Sequence, residues 1–184
     1  MSINLSNPPT SLSTRALEPR PELLTTDYAQ RLTTDLHAAK DRAYVSTFIL
    51  GHHWPTRDHN TQNPLAALRM AATRGVKAAL LLSHYDNPIT PRNPPSGELL
   101  LLRKYGVRIA FGAKDQVSHA KFVIIDADIC YVGSHNFTFA SMTRNFEVTV
   151  RYQSADLANQ LLQLWNRQAR THVPIPHSVL EPDD

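Results

Sequence analysis

The stretch Ser118-His119-Ala120-Lys121-Phe122-Val123-Ile124-Ile125-Asp126 places two polar groups at the head of an apolar run, and Gly133-Ser134-His135-Asn136 follows it closely. Residues 117–126 and 129–133 read as two strands joined at Ala127-Asp128. Side chains alternate faces along a strand, so His119 and Lys121 point the same way, roughly 7 Å apart, with Ala120 turned away. Such a pair is costly unless it faces an open site. A histidine can attack phosphorus or donate a proton near neutral pH, and a neighbouring lysine can hold a phosphate's charge. Gly133 allows a tight turn, and Ser134 and Asn136 offer a hydroxyl and an amide suited to phosphate oxygens.

Upstream of this stretch, helices and strands alternate. A helical stripe of Tyr28, Leu32, Leu36 and Ala39 predicts a helix over 27–40, and the β-branched and aromatic run 43–50 predicts a strand. Pro64 opens a helix that Gly75 closes. The continuous apolar run 76–83 is that of a strand buried on both faces. A short helix over 98–105 and a strand over 107–111 complete the alternation. Downstream, 146–152 reads as a strand and 154–170 as an amphipathic helix carrying Leu157, Leu161, Leu164 and Trp165. The order predicts an α/β fold: a mixed, largely parallel sheet flanked by helices on both faces. Residues 1–22, rich in Ser, Thr, Asn and Pro, read as a flexible arm, 23–172 as a single domain, and 173–184 as an irregular tail.

The chain has 184 residues, a net charge of +3 and one cysteine. A mildly basic balance suits a polyanionic partner without requiring one. Cys130, inside an apolar run, reads as a small core residue. With no second cysteine to pair, no leader-like apolar segment and no run of about 20 apolar residues, a cytoplasmic location and no membrane partner are expected.

Together the residues spell H-x-K-x4-D-x6-G-S-x-N, which resembles the signature of the phospholipase D superfamily. In length, and in the Asn-Phe-Thr and Asn-x-Glu patterns that follow, the chain resembles the small bacterial nucleases that carry this motif once. The resemblance implies that His119 is a nucleophile forming a phosphohistidine. It implies that Lys121, Ser134 and Asn136 hold the phosphate, that Glu147 hydrogen-bonds to a motif histidine, and that no metal or other cofactor is needed. Gly133 and Asp126 are expected to be structural. Asp126 has the opposite parity to His119 and is expected to hold the turn at 127–128. Members of this family use two histidines, one to attack and one to protonate the leaving oxygen. This chain has one motif and no internal repeat, so a homodimer with the site at its two-fold axis is expected.

The loops are less specific. His52, His53 and His59, with His84 and Asp86, match no standard zinc spacing. His53, Trp54, Arg57 and Tyr85 follow strands, where α/β sheets gather ligand-binding loops, and are candidates to stack on bases or meet phosphates. His135, at the variable position of the motif, and Arg144 are further candidates for substrate contact. The expected activity is metal-independent endonucleolytic cleavage of DNA or RNA. Two rival readings are a phospholipase or phosphatidyl transferase and a non-catalytic nucleic-acid-binding subunit.

Overall fold

The run 76–83 does become a strand buried on both faces, one place in from an edge of a seven-stranded sheet in the computed structural model, which describes residues 20–51, 63–85 and 96–169. In chain order the elements are β1 (Glu22–Leu24), α1 (Tyr28–Ala38), β2 (Arg42–Thr47), α2 (Pro64–Thr73), β3 (Lys77–Leu82), α3 (Ser96–Lys104) and β4 (Arg108–Phe111). There follow β5 (Phe122–Ile125), β6 (Ile129–Gly133), α4 (Phe139–Thr143), β7 (Thr149–Gln153) and α5 (Ala155–Gln168). The sheet order is β1-β7-β6-β5-β2-β3-β4.

The mixed α/β class is as expected, but parallel pairing is confined to β2-β3-β4. The other four junctions are antiparallel. A parallel return needs a crossover of a dozen or more residues, which the connections through α2 and α3 supply between β2, β3 and β4. Between β5 and β6 only Asp126, Ala127 and Asp128 intervene, which is enough for a hairpin and nothing else.

Alternation along the strands sorts the core into two layers. Ala43, Val45, Val123 and Ile125 face α1, α2 and α3, whose Leu32, Leu36, Leu65, Leu68, Leu99 and Leu102 are buried against them. Tyr44, Phe122, Ile124 and Cys130 face α5, where Trp165 is fully buried with its ring 5.3 Å from that of Tyr44. One helix cannot cover seven strands. On the α5 side Leu23, Val150 and Val132 are therefore left exposed, side by side in the register of β1, β7 and β6.

Polar pins fix the first layer. Asp35 of α1 is buried and accepts from the Tyr131 hydroxyl of β6 and, at 2.6 Å, from Arg151 Nε of β7. A buried carboxylate needs such partners. Arg74 donates to the Leu36 and His37 carbonyls, both at 3.0 Å, capping the C-terminus of α1 rather than standing free in solvent. Strand β1 was not legible in the sequence: it is three residues long, too short for a period, and is held by pairing with β7 and burial of Leu24. Among the described residues no helix is long and apolar enough to cross a membrane.

Candidate active site

The motif residues gather at one edge of the sheet, where β2, β3, β4 and β6 end and β5 and β7 begin. The expected strand over 117–126 is shorter than its pattern. It starts at Phe122, and 117–121 is irregular. His119 and Lys121 nevertheless come together. Lys121 Nζ lies 3.1 Å from both ring nitrogens of His119 and donates to the His119 carbonyl at 2.8 Å. The Phe48 ring backs both groups, 4.7 Å from the imidazole and 5.3 Å from Nζ. Partial burial holds the Lys121 amine below the ordinary lysine range, and the carboxylate of Glu147 partly offsets this. His119 itself is exposed, open to an incoming phosphate.

The second half of the motif turns at the end of β6. A Cβ on Gly133 would stand 2.2 Å from Thr149 Oγ1 and 2.4 Å from the Val148 carbonyl, so only glycine lets β7 approach this closely. That approach lets Ser134 N donate to the Val148 carbonyl at 3.0 Å, and Val148 N donate to Ser134 Oγ at 3.0 Å. The Asn136 side-chain oxygen accepts from Ile49 N at 3.1 Å and from the Thr47 hydroxyl at 3.4 Å. With that oxygen committed, its NH₂ group is what Asn136 has to offer an anion. Ser141 Oγ accepts from Asn136 N at 2.9 Å and donates to Glu147 Oε1 at 2.7 Å.

Glu147 also accepts from Asn145 Nδ2 at 3.2 Å. Burial raises its pKa, but the hydroxyls of Ser134 and Ser141, the Asn145 amide and the nearby His135 ring outweigh it and hold the carboxyl below its ordinary value. Its hydrogen-bond partners are Ser134, Ser141 and Asn145, and His135 acts on it through charge alone, so the expected hydrogen bond from Glu147 to a motif histidine is not among these contacts. Thr47 and Ser141, both buried, are the site residues that sequence reasoning missed. The only signal for Ser141 was its place three residues after the helix-capping Thr138.

Other candidates are placed differently from expectation. His135 does not line an open groove. It is 3% exposed, stacked on Tyr28 at 4.0 Å, with Nδ1 2.8 Å from Thr149 Oγ1 and a further bond to the Thr25 backbone. Both faces of its chemistry, apolar ring and polar nitrogens, are satisfied inside the fold. Asp126 does not hold its own turn. Its carboxylate reaches the junction of α1 and β2 and accepts from Lys40 N, Asp41 N and Arg42 N. Three consecutive N–H groups there suit a carboxylate better than the turn does. Arg144 ends α4 with its guanidinium 5.4 Å above the Phe139 ring. Tyr85 stands at the site edge but packs on His84 and, edge-on at 5.3 Å, on Phe111. His52, His53, Trp54, Arg57, His59 and Asp86 lie outside the described residues. Among the described residues no three His, Cys, Asp or Glu side chains are grouped to hold a metal.

In front of His119 opens a cleft of about 660 Å³. Its lining includes His119, Lys121 and Ser134 together with the apolar Val117, Phe122, Val132, Leu161 and Leu164. The arrangement sets an imidazole and an amine beside a cleft with room for a bulky, partly apolar group.

Residues 32–168 match the family described as "Cardiolipin synthase, PLD-like domain". Cardiolipin synthase A of Buchnera aphidicola is 26% identical over 138 residues, covering 75% of this chain and 26% of that protein. The phospholipase D of Rickettsia bellii is 32% identical over 106 residues, 57% of this chain and 50% of that protein. The chain thus spans about a quarter of the one relative's length and half of the other's. Among solved structures, Nuc from Salmonella typhimurium, a phospholipase D family member, superposes with a TM-score of 0.67 at 19% identity. That match covers 82% of this chain and 94% of Nuc.

Proposed function

The chain belongs to the phospholipase D superfamily, and from that premise we propose that it is a metal-independent phosphodiesterase that cleaves nucleic acid as a homodimer. The observation that carries this reading is the His119–Lys121 pair, in contact at 3.1 Å and open at the mouth of the cleft. A ring nitrogen of His119 attacks phosphorus, and the P–O bond to the leaving group breaks. The leaving oxygen takes a proton from a second imidazole, the His119 of another copy. Water then attacks phosphorus, the P–N bond breaks, and the water's proton passes to that second imidazole. Lys121, Ser134 and the Asn136 amide stabilise the charge on the non-bridging oxygens. By family resemblance the product carries a 5′-phosphate.

A single histidine of this kind per chain supports the dimer, because the second proton-transfer group has to come from elsewhere. The exposed row Leu23, Val150 and Val132, with Leu164 beside the cleft, is the apolar surface such a partner would cover. The likeness to Nuc, which the match covers over 94% of its length, supports the fold on which this reading rests. Incubation with plasmid and single-stranded nucleic acid in chelator is expected to give cleavage by the wild type and none by His119→Ala. Equal cleavage by both would overturn the reading, and salt-dependent binding without turnover would favour a binding subunit instead. A size-separated monomer that is fully active at dilution would refute the dimer.

A second reading, transfer of phosphatidyl groups, draws on the cardiolipin synthase relatives and on the apolar side chains that line the cleft. Headgroup release from phospholipid vesicles, lost in His119→Ala, would favour it over the nuclease.

A further inference from the structure

We propose that Ser46 and Ser83 are positioning residues that hold the His119 backbone in register for attack, an inference that rests on the reading of His119 as the nucleophile. The starting point is a weakness in the fold. The β2–β5 ladder ends at the pair Ser46–Phe122, so His119 stands on an irregular segment. A nucleophile on such a segment is displaced easily unless other groups fix it.

Two buried serines do so, one on each side of His119. Ser83 Oγ, just past β3, accepts from Ser118 N at 3.1 Å. Ser46 Oγ, on β2, donates to the Ala120 carbonyl at 3.1 Å. The serines are 2% and 1% exposed. Ser46 lies on β2 and Ser83 directly follows β3, adjacent parallel strands whose register is fixed by six consecutive residue pairs. A third tie, Gly133 N donating to the Lys121 carbonyl at 3.2 Å, refers the same segment to β6. Gly112, after β4, presses on it as well: a Cβ there would lie 3.3 Å from the Ser118 Cβ. The imidazole is thereby located relative to several strands, although its own residue belongs to none. Alanine at position 46 or 83 removes one hydroxyl and almost no volume. The backbone beside His119 then gains freedom while the core stays filled.

The test is steady-state and single-turnover hydrolysis of a chromogenic phosphodiester by Ser46→Ala, Ser83→Ala and the double variant, with acid-quench trapping of the phosphoenzyme. Turnover per folded molecule is expected to fall about tenfold in each single variant and about 100-fold in the double, with KM unchanged within about twofold. Ser154→Ala is the control. Its hydroxyl caps α5, accepting from Leu157 N at 3.2 Å, so its loss lowers Tm and leaves kcat unchanged. A purely structural role for Ser46 and Ser83 would follow the same pattern as this control. Full turnover in both single variants, whatever their Tm, overturns the proposal. Activity retained in His119→Ala refutes the nucleophile reading itself, which is a separate outcome. If the wild type turns over no diester tested, the ¹H–¹⁵N imidazole signals of His119 decide. Signals shifted or broadened in Ser46→Ala and Ser83→Ala support the clamp, and signals identical to wild type overturn it.

Discussion

Replacing Asp126 by alanine separates the scaffold from the chemistry within one motif. Asp126 follows the last residue of β5, whose four residues span about 13 Å, so its carboxylate works at the end of the strand away from Lys121. There it accepts from Lys40 N at 3.0 Å, Asp41 N at 2.8 Å and Arg42 N at 3.2 Å. These N–H groups are exposed or half-buried, so each bond is worth about 0.5–1 kcal/mol rather than the larger value of a fully buried charged acceptor. The three together contribute about 2 kcal/mol. Asp126 also holds φ at 52°, in the left-handed region that aspartate tolerates and alanine resists, which adds about 1 kcal/mol. Asp126→Ala is therefore expected to destabilise the fold by about 3 kcal/mol, which for a chain of this size lowers Tm by about 6–12 °C. Asp126→Asn keeps one acceptor and the backbone preference, and should lose about half as much. Thermal unfolding followed by circular dichroism gives Tm, and turnover per folded molecule, measured well below both transitions, should stay within about threefold of wild type. An unchanged Tm together with a hundredfold loss of turnover would refute the assignment and move Asp126 into the chemistry.

Gly133→Ala forces β7 away from the turn, because the new methyl would overlap Thr149 Oγ1 and the Val148 carbonyl. A loss of about 2–3 kcal/mol in stability and a clear fall in turnover are expected, and a variant with wild-type Tm and activity would contradict the close approach. Burial holds the His135 pKa below the ordinary value, although Glu147, Asp27 and the Thr25 carbonyl oppose it. The unfolded chain therefore binds this proton more readily, and stability falls as pH drops from about 6.5 toward the lower folded value. The urea midpoint of His135→Gln should vary less than that of wild type between pH 7.5 and 5, and equal slopes would refute the buried assignment. Burial, with a smaller effect from Asp128, pushes the Cys130 thiol up to about 11. It should resist thiol reagents at pH 8 until the chain is unfolded, whereas rapid native labelling would place it outside the core.

Much of this architecture was legible because it is periodic. The stripes of α1 and α5 repeat at helix spacing, the apolar run of β3 has strand length, and Gly75 stops α2. What escaped has no period. Thr47 reaches Asn136, and Ser141 joins Asn136 to Glu147, through single hydrogen bonds that leave no mark in composition. The burial of His135 depends on Tyr28, more than a hundred residues away in sequence, so a histidine inside a reactive motif read as a groove residue. The pattern at 117–121 alternates as a strand would, yet its neighbours in space supply serine hydroxyls instead of a continuing ladder. Propensity could not register that difference, since it is decided by what lies alongside.

The spacing of the motif itself has a mechanical reading. Lys121 and Asp126 are separated by four residues, and those four, Phe122–Ile125, are the whole of β5. Asp126 opens the turn, and the six residues after it complete the hairpin and return along β6 as far as Val132. Phe122 then stands opposite Val132, and Ile125 opposite Ile129. Gly133 comes back beside Lys121, to whose carbonyl its N–H donates at 3.2 Å. The two intervals are thus the outward and return lengths of one hairpin, which is what brings Ser134 and Asn136 to the edge that carries His119. A residue inserted into either strand would reverse the faces beyond it and leave Ser134 and Asn136 out of step with His119. On this geometry the interval lengths constrain the site as firmly as the identities of the residues they separate.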